Sequence, residues 1–319
     1  MNNRLKKEIG KIEKAKKNKK FKCLFPGCNE FSIGSHSQQR GGQLSAICRN
    51  NEVYAMDFNM YSVLAKGYSA FELKKTMIKN ASIYPGFCQS HDGQIFSPIE
   101  KKELRHNDPL QIATFFLRTI TYEITRKKLA DFATREILNN CEKLLPDELV
   151  ENFRGYIVGR GKFIEIDAPY YYDKAFSNYN YPNENILTTH WVTIPKNIYA
   201  SSCTVFSPIF DIDERLHNQM YSIPQAMSTF NLVPTLDCTH VIVSWLTEHD
   251  HYNRWIVEVM NNDIEKFINY VAICESEDIC LGPNLWEKVD IFTREEVLNA
   301  MKHVVHRGPL FEMPTIIKI

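Results

Sequence analysis

Two residue pairs near the N-terminus have side chains and a spacing suited to binding a metal ion. The first is Cys23 and Cys28, five positions apart around a Pro-Gly turn, and the second is Cys88 and His91, three positions apart. Thiolate and imidazole are the ligands that zinc prefers, and four of them complete a tetrahedral structural site. The pairs together therefore predict one structural Zn²⁺ ion. The alternative is four unrelated buried or loop residues.

The segment between the pairs gives a reason for such an ion. It is rich in Gly and Ser and has little apolar periodicity of its own. Because metal binding is coupled to folding in small metal-stapled modules, one ion that holds both ends could organise the segment. Cys48 lies within it and is a spare candidate ligand.

A histidine follows the first cysteine pair by eight residues, His36 in "GSHSQQRGG". Three roles are open for it: a general base, a histidine that supports the fold or merely lies on the surface, and a further zinc ligand. The order of cysteine pair, histidine, glycine-containing loop and second pair resembles the treble-clef ββα-metal nucleases, the HNH family. The resemblance covers about residues 21–100, a quarter of the chain.

The resemblance implies roles for particular residues. In that family the strand histidine is a general base that activates water against a phosphodiester, and a hard divalent ion neutralises the phosphate. Carried over by position, His36 matches the base, Asp92 falls near the expected catalytic Mg²⁺ or Mn²⁺, and Arg40 could hold a phosphate. Ser35 stands before the histidine, where the family usually has an acidic residue.

Charge is unevenly distributed along a chain whose net charge is zero. Residues 1–22 hold ten Lys/Arg and two Asp/Glu, a net of +8, and the remainder carries −8. A basic arm on an acidic body is typical of nucleic-acid-binding proteins, and the candidate contacts are Lys16, Lys17, Lys19 and Lys20. The alternative is a solvated, partly frayed helix that touches nothing.

Periodicity and composition predict an α+β protein. We expect a basic helical arm over residues 1–20, a zinc-stapled, treble-clef-like module over 21–100, a helical segment over 101–167, and a mixed α/β region of unknown role over 186–319. Asp108 as N-cap and Pro109 at the first position begin an amphipathic helix over 108–141. A further helix is predicted to begin near Pro146.

The Tyr- and Asn-rich residues 168–185 predict a long surface loop or linker. Beyond them, β-branched and aromatic runs predict strands over 186–195, 203–210 and 238–247. Helices are expected over 252–273 and 293–306, the second with a capping box of Thr293 and Glu296. "GRGKF" at 159–163 lacks the spacing of a phosphate-binding loop and is interpreted as a turn.

Other classes of protein are disfavoured. The charged N-terminus has no apolar stretch behind it, and no run approaches a membrane span. Nine cysteines in a chain of this kind do not indicate a disulfide framework, and a cytoplasmic protein is expected. His249 and His251 are interpreted as part of a solvated loop before a helix, and Cys274 and Cys280 as buried or loop thiols, rather than as metal pairs.

Three functions are compatible with these patterns. The first is a metal-dependent endonuclease, which analogy places in defence against phage, with a homo-oligomer or a partner protein bound through the C-terminal region. The second is a non-catalytic zinc finger that binds nucleic acid or a protein, and Ser35 favours it. The third is an enzyme whose site lies in the C-terminal region, for which the sequence offers no residue set.

Overall fold

The computed structural model describes residues 3–57, 72–207, 222–301 and 313–319. Within these ranges the chain is a mixed α+β protein, which confirms the predicted fold class at that level. The helices are α1 (Asn3–Lys17), α2 (Ser45–Ile47), α3 (Gln89–Ile95), α4 (Ser97–Glu100), α5 (Pro109–Cys141), α6 (Asp147–Lys162), α7 (Ala168–Asn180), α8 (Asp250–Asn262), α9 (Ile264–Asn269), α10 (Pro283–Trp286) and α11 (Ile291–Met301).

The described strands form two antiparallel sheets. They are β1 (Gly34–His36), β2 (Glu52–Asp57), β3 (Glu72–Met77), β4 (Ile83–Pro85), β5 (Leu187–Ile194), β6 (Ala200–Phe206), β7 (Ser228–Pro234), β8 (Thr239–Leu246) and β9 (Ile279–Leu281). β1 pairs with β4, and the other seven lie in the order β3-β2-β9-β6-β7-β8-β5. β2 and β3 thus join a sheet built mainly by the C-terminal region.

The large sheet is covered on both faces. On one face, alternate residues of β7 and β8 pack with α8, α9 and the π-helical turn Tyr270–Glu275 in the largest apolar core. On the other face lies α5, whose Thr119 hydroxyl donates to the Asn231 side chain at 3.1 Å. The predicted strands over 186–195 and 238–247 are confirmed. The prediction over 203–210 holds through Phe206, and its residues beyond 207 lie outside the described ranges.

Helix α5 is the long helix that the sequence predicts. The Asp108 carboxylate accepts from the backbone N–H groups of Leu110 at 3.0 Å and Gln111 at 3.1 Å, so the predicted N-cap is confirmed. The predicted helix near Pro146 is α6.

The basic helix α1 packs on α5 rather than standing free. Its buried stripe of Leu5, Ile9 and Ile12 contacts Ala133 and Ile137. The alternative of a helix that touches nothing is therefore wrong, because these apolar residues are removed from water.

Three expectations are corrected. Residues 168–180 form helix α7 rather than a loop, because Tyr171 and Phe176 on one face are buried against neighbouring elements. "GRGKF" is helical, within α6 and the π-helical turn that follows it. The cap of α11 is Asp290, which accepts from the N–H of Thr293 at 3.1 Å, so Thr293 lies inside the helix and no capping box forms there. Residues 302–306 of that predicted helix lie outside the described ranges.

Candidate metal centre and strand histidine

The first cysteine pair lies on a tight turn. Gly27 has φ +76°, a conformation that glycine adopts without strain, and the Cys28 N–H donates to the Phe25 carbonyl at 3.0 Å. The Cys23 N–H donates to the Glu30 carbonyl at 2.8 Å, which closes the loop on its other side. Both thiols therefore face the same side of a closed loop.

The second pair lies at the start of α3. Cys88 is the extended residue that precedes the helix, and its carbonyl accepts from the Asp92 N–H at 2.9 Å. His91 lies in the first turn, and its imidazole stacks on the Phe25 ring with the centroids 3.9 Å apart. The turn and the helix start thus bring the two pairs together.

The four side chains form a cluster with the dimensions of a zinc site. Sγ of Cys23 and Cys88 lie 3.5 and 3.2 Å from His91 Nδ1, and the ligand atoms of all four residues lie within 4.8 Å of one another. Zn–S bonds of about 2.3 Å and Zn–N bonds of about 2.0 Å place tetrahedral ligands about 3.5–3.8 Å apart. The predicted ligand set is therefore brought together, and it fits a zinc ion.

The thiols of the cluster differ in their environments. Burial raises the pKa of Cys23 to about 11, whereas a hydrogen bond from the backbone of His91 lowers the pKa of Cys88. A bound divalent ion deprotonates coordinating thiols, so it would hold both as thiolates.

The cluster rests on a core contributed by other elements. The Tyr172 hydroxyl of α7 donates to the Leu24 carbonyl, and Phe176 packs edge-on against Phe25 and Phe87 at 6.0 and 6.4 Å between centroids. Helix α7, which the sequence had predicted to be a loop, thus supports the candidate metal centre.

His36 ends β1 on its outer face. Because side chains alternate along a strand, buried Ser35 points inward, while exposed Gly34 and half-buried His36 point outward. The partner strand β4 repeats the pattern, with Tyr84 buried between Ile83 and Pro85. Position 35 is therefore closed to any ion on the outer face.

The His36 imidazole is held in one tautomer. Its Nδ1 lies 2.9 Å from the Ala81 carbonyl; since a carbonyl can only accept, Nδ1 carries the proton in the neutral ring and Nε2 keeps the lone pair. Burial lowers the pKa of His36, the hydrogen bond to Ala81 opposes that effect, and the Arg40 guanidinium lowers the pKa further. His36 is therefore a neutral base at neutral pH.

Two charged groups near His36 come from different elements. The Asp92 carboxylate raises the His36 pKa and the Arg118 guanidinium lowers it. Asp92 Oδ1 is buried without a hydrogen-bond partner among the described residues. Arg118 is buried on α5, ion-paired with Glu100 and stacked 4.1 Å from the Phe96 ring centroid. Sequence reasoning missed Arg118, although an arginine within the apolar run "FFLRTI" was a usable signal.

The segment after His36 is anchored to the C-terminal region. The Ser37 hydroxyl donates to the Asp278 carboxylate at 2.5 Å, and the Gln38 amide donates to the Asp278 carbonyl at 3.0 Å. Burial raises the pKa of Asp278 to about 6. The separation of these residues in the sequence left no signal for this contact.

The predicted nucleic-acid contacts lie at two places, beside His36 and along a cleft. Arg40 is exposed, and its charge acts on His36. Lys16, Lys17, Lys19 and Lys20 line a cleft that also includes parts of β1 and β4.

The remaining candidates do not extend the metal centre. Among the described residues the cluster of four is the group that could hold a metal ion, and Cys48 lies outside it. His249 is buried beside the Tyr171 hydroxyl at 3.2 Å rather than solvated. Cys274 and Cys280 are buried, as expected.

Comparisons with family models, curated proteins and solved structures give no match to this chain. Within the described residues, no helix has the length and apolar character needed to cross a membrane.

Proposed function

We propose that the chain is a metal-dependent endonuclease whose site is built on a structural zinc module of the treble-clef type. The observation that carries the proposal is the placement of His36. It lies on the outer face of a two-stranded ladder, with its Nδ1 donating to the Ala81 carbonyl at 2.9 Å. A cysteine turn precedes this ladder, and a helix that opens with the second ligand pair follows it.

His36 would act as the general base. Its Nε2 lone pair can take a proton from water as that water attacks a phosphodiester, and the Ala81 carbonyl stabilises the imidazolium that results. A lowered pKa keeps the ring neutral and ready to accept the proton at neutral pH.

Asp92 and Arg40 would handle the charge of the substrate. The Asp92 carboxylate, with one oxygen unpartnered among the described side chains, would hold Mg²⁺ or Mn²⁺. Such an ion would stabilise the negative charge that develops on the leaving oxygen. Exposed Arg40 would contact a neighbouring phosphate.

The test is cleavage of plasmid DNA and of RNA with Mg²⁺ or Mn²⁺ by zinc-loaded protein. General-base removal lowers rates by about 10²–10⁴-fold, so we expect that loss for His36→Ala and a comparable loss for Asp92→Asn. Exposed His251 and Asp237 provide matched controls: His251→Ala and Asp237→Asn should cleave at the parent rate. Cleavage that survives both site substitutions would refute the assignment.

A second candidate function is supported by Ser35. Its side chain is buried and cannot offer a carboxylate to an ion on the outer face. A zinc module that binds nucleic acid without cutting it would have no need of that carboxylate. Binding without cleavage under every divalent ion tested would favour this function over the first.

A further inference from the structure

A cleft of about 940 Å³ lies between the basic helix α1, helix α5 and the β1–β4 ladder. Of its described lining residues, four are lysines, and the single acidic one is Glu13. Burial lowers the pKa of Lys16, and the nearby Arg126 charge adds to the effect. The excess of positive charge favours an anionic ligand.

Apolar residues also line the cleft. Ile83 is 46% exposed, and it lines the cleft together with half-buried Pro85 and Leu129. Just beyond the lysines lies Phe31, with 60% of its surface exposed and the Lys20 ammonium 5.7 Å from its ring centroid. The cleft thus combines cationic groups with apolar surface, and an aromatic ring lies next to one of its lysines.

This combination suits one strand of nucleic acid rather than two. A single strand presents phosphates to lysines and base faces to aromatic and apolar side chains, whereas a duplex keeps its bases stacked inside. The volume of the cleft lies within the range of about 300–1,000 Å³ typical of ligand pockets.

The cleft is continuous with the strand that carries His36. Gly34 lines the cleft and shares the outer face of β1 with His36, two positions along. At about 3.3 Å per residue the two positions are roughly 7 Å apart. A nucleic-acid strand bound in the cleft would therefore pass close to the His36 imidazole.

We propose that this cleft binds single-stranded nucleic acid, with the lysines on its phosphates and a base stacked on Phe31. This inference rests on the proposed function and adds the class of substrate, which is single-stranded nucleic acid.

The test measures binding without Mg²⁺ or Mn²⁺, so it is independent of cleavage. Fluorescence anisotropy of zinc-loaded protein with 20-nucleotide DNA and RNA single strands, the matching duplexes and anionic phospholipid vesicles gives the preference. We expect a single strand, DNA or RNA, to bind at least about tenfold more tightly than its duplex, because only unpaired bases can stack on an aromatic side chain.

Substitutions locate the site. Phe31→Ala should weaken single-strand binding at least fivefold and Phe31→Trp should retain it. Phe292→Ala, at a ring 76% exposed, is the control and should leave binding unchanged.

The double variant Lys17→Ala/Lys20→Ala tests the phosphate contacts. It should reduce the slope of log affinity against log salt concentration by about 1.4, which corresponds to two phosphates. Lys196→Ala/Lys288→Ala is its control. Duplex or vesicle binding as tight as single-strand binding, or equal effects of site and control variants, would overturn the proposal. If the parent protein prefers single strands but cleaves no nucleic acid, the result would count against the proposed function alone.

Discussion

The metal module and the seven-stranded sheet are stabilised in different ways. The sheet has its own apolar core, formed by alternate residues of its central strands and the helices that cover them. By the metal module we mean the cysteine turn 23–28, the β1–β4 ladder and helix α3, which carry or adjoin the four candidate ligands. The ladder has three residues in each strand and the helix has seven. Its apolar residues pack mainly on α5 and α7. The module therefore depends on apolar surface that α5 and α7 provide and, when an ion is bound, on its four candidate ligands. The sheet depends on its own side chains.

Because of this difference, substitution of a metal ligand and substitution of a core residue should unfold different parts of the chain. Loss of a ligand should unfold the module and leave the sheet, while loss of a core residue in the sheet should unfold the whole chain. The Ser37–Asp278 contact joins the two regions and should transmit a limited part of either effect.

The largest expected effect is that of Cys28→Ser. Because zinc binding in small modules is worth about 10–16 kcal/mol, removal of one thiolate should reduce zinc from about one to under about 0.1 per chain. Hydrogen exchange should then lose protection at the Leu24 and Ile33 amides, which bond to Gly86 and Phe87, while β7 and β8 keep theirs. Cys48→Ser, half-buried outside the cluster, is the control. Equal zinc in the two variants would remove the distinction between the regions.

Phe176→Ala tests how far the packing of α7 stabilises the metal module. The ring is 5% exposed and contacts Phe25 and Phe87, so its truncation should cost about 3–5 kcal/mol in urea unfolding. Phe230→Ala in the sheet should cost a similar amount. Hydrogen exchange should distinguish the two variants. Phe176→Ala should lower the protection of amides mainly in the metal module, and Phe230→Ala should lower it throughout the chain. Identical exchange patterns would mean that the module and the sheet unfold as one unit.

Asp278→Asn tests the connection between the regions. A carboxyl whose pKa is raised on folding, here from 3.8 to about 6, binds its proton more tightly when folded. Its contribution to stability is therefore present below pH 4 and is lost as the pH rises to about 6. The difference corresponds to about 3 kcal/mol. The unfolding free energy of the parent relative to Asp278→Asn should fall by that amount over the window, whereas relative to Asp237→Asn it should vary little. A flat difference for Asp278→Asn would contradict this account.

Asp108→Ala should have the smallest effect. Loss of an N-cap costs about 1 kcal/mol, and α5 contacts both regions through Phe116 and Phe115. Hydrogen exchange measured in increasing urea gives an unfolding midpoint for the module and one for the sheet. Both midpoints should fall by the same amount. A shift confined to one region would show that α5 supports that region alone.

The sequence predicted what depends on local pattern. Asp108 with Pro109 and an apolar period gave α5, β-branched runs gave β5 and β8, and ligand spacing gave the four-residue cluster. It missed what depends on tertiary contact. Helix α7 has a loop-like composition and is stabilised by burial of Tyr171 and Phe176. The pairing of β2 with β9 joins strands more than two hundred residues apart, and no local pattern encodes it.

We propose that Cys23, Cys28, Cys88 and His91, whose ligand atoms lie close enough together to hold a metal ion, bind one zinc ion. X-ray absorption at the zinc K-edge of protein purified without chelator tests it most directly. We predict about one zinc per chain, with three sulfur ligands at about 2.3 Å and one nitrogen at about 2.0 Å. Less than about half a zinc per chain, or a shell of oxygen and nitrogen without sulfur, would contradict the claim.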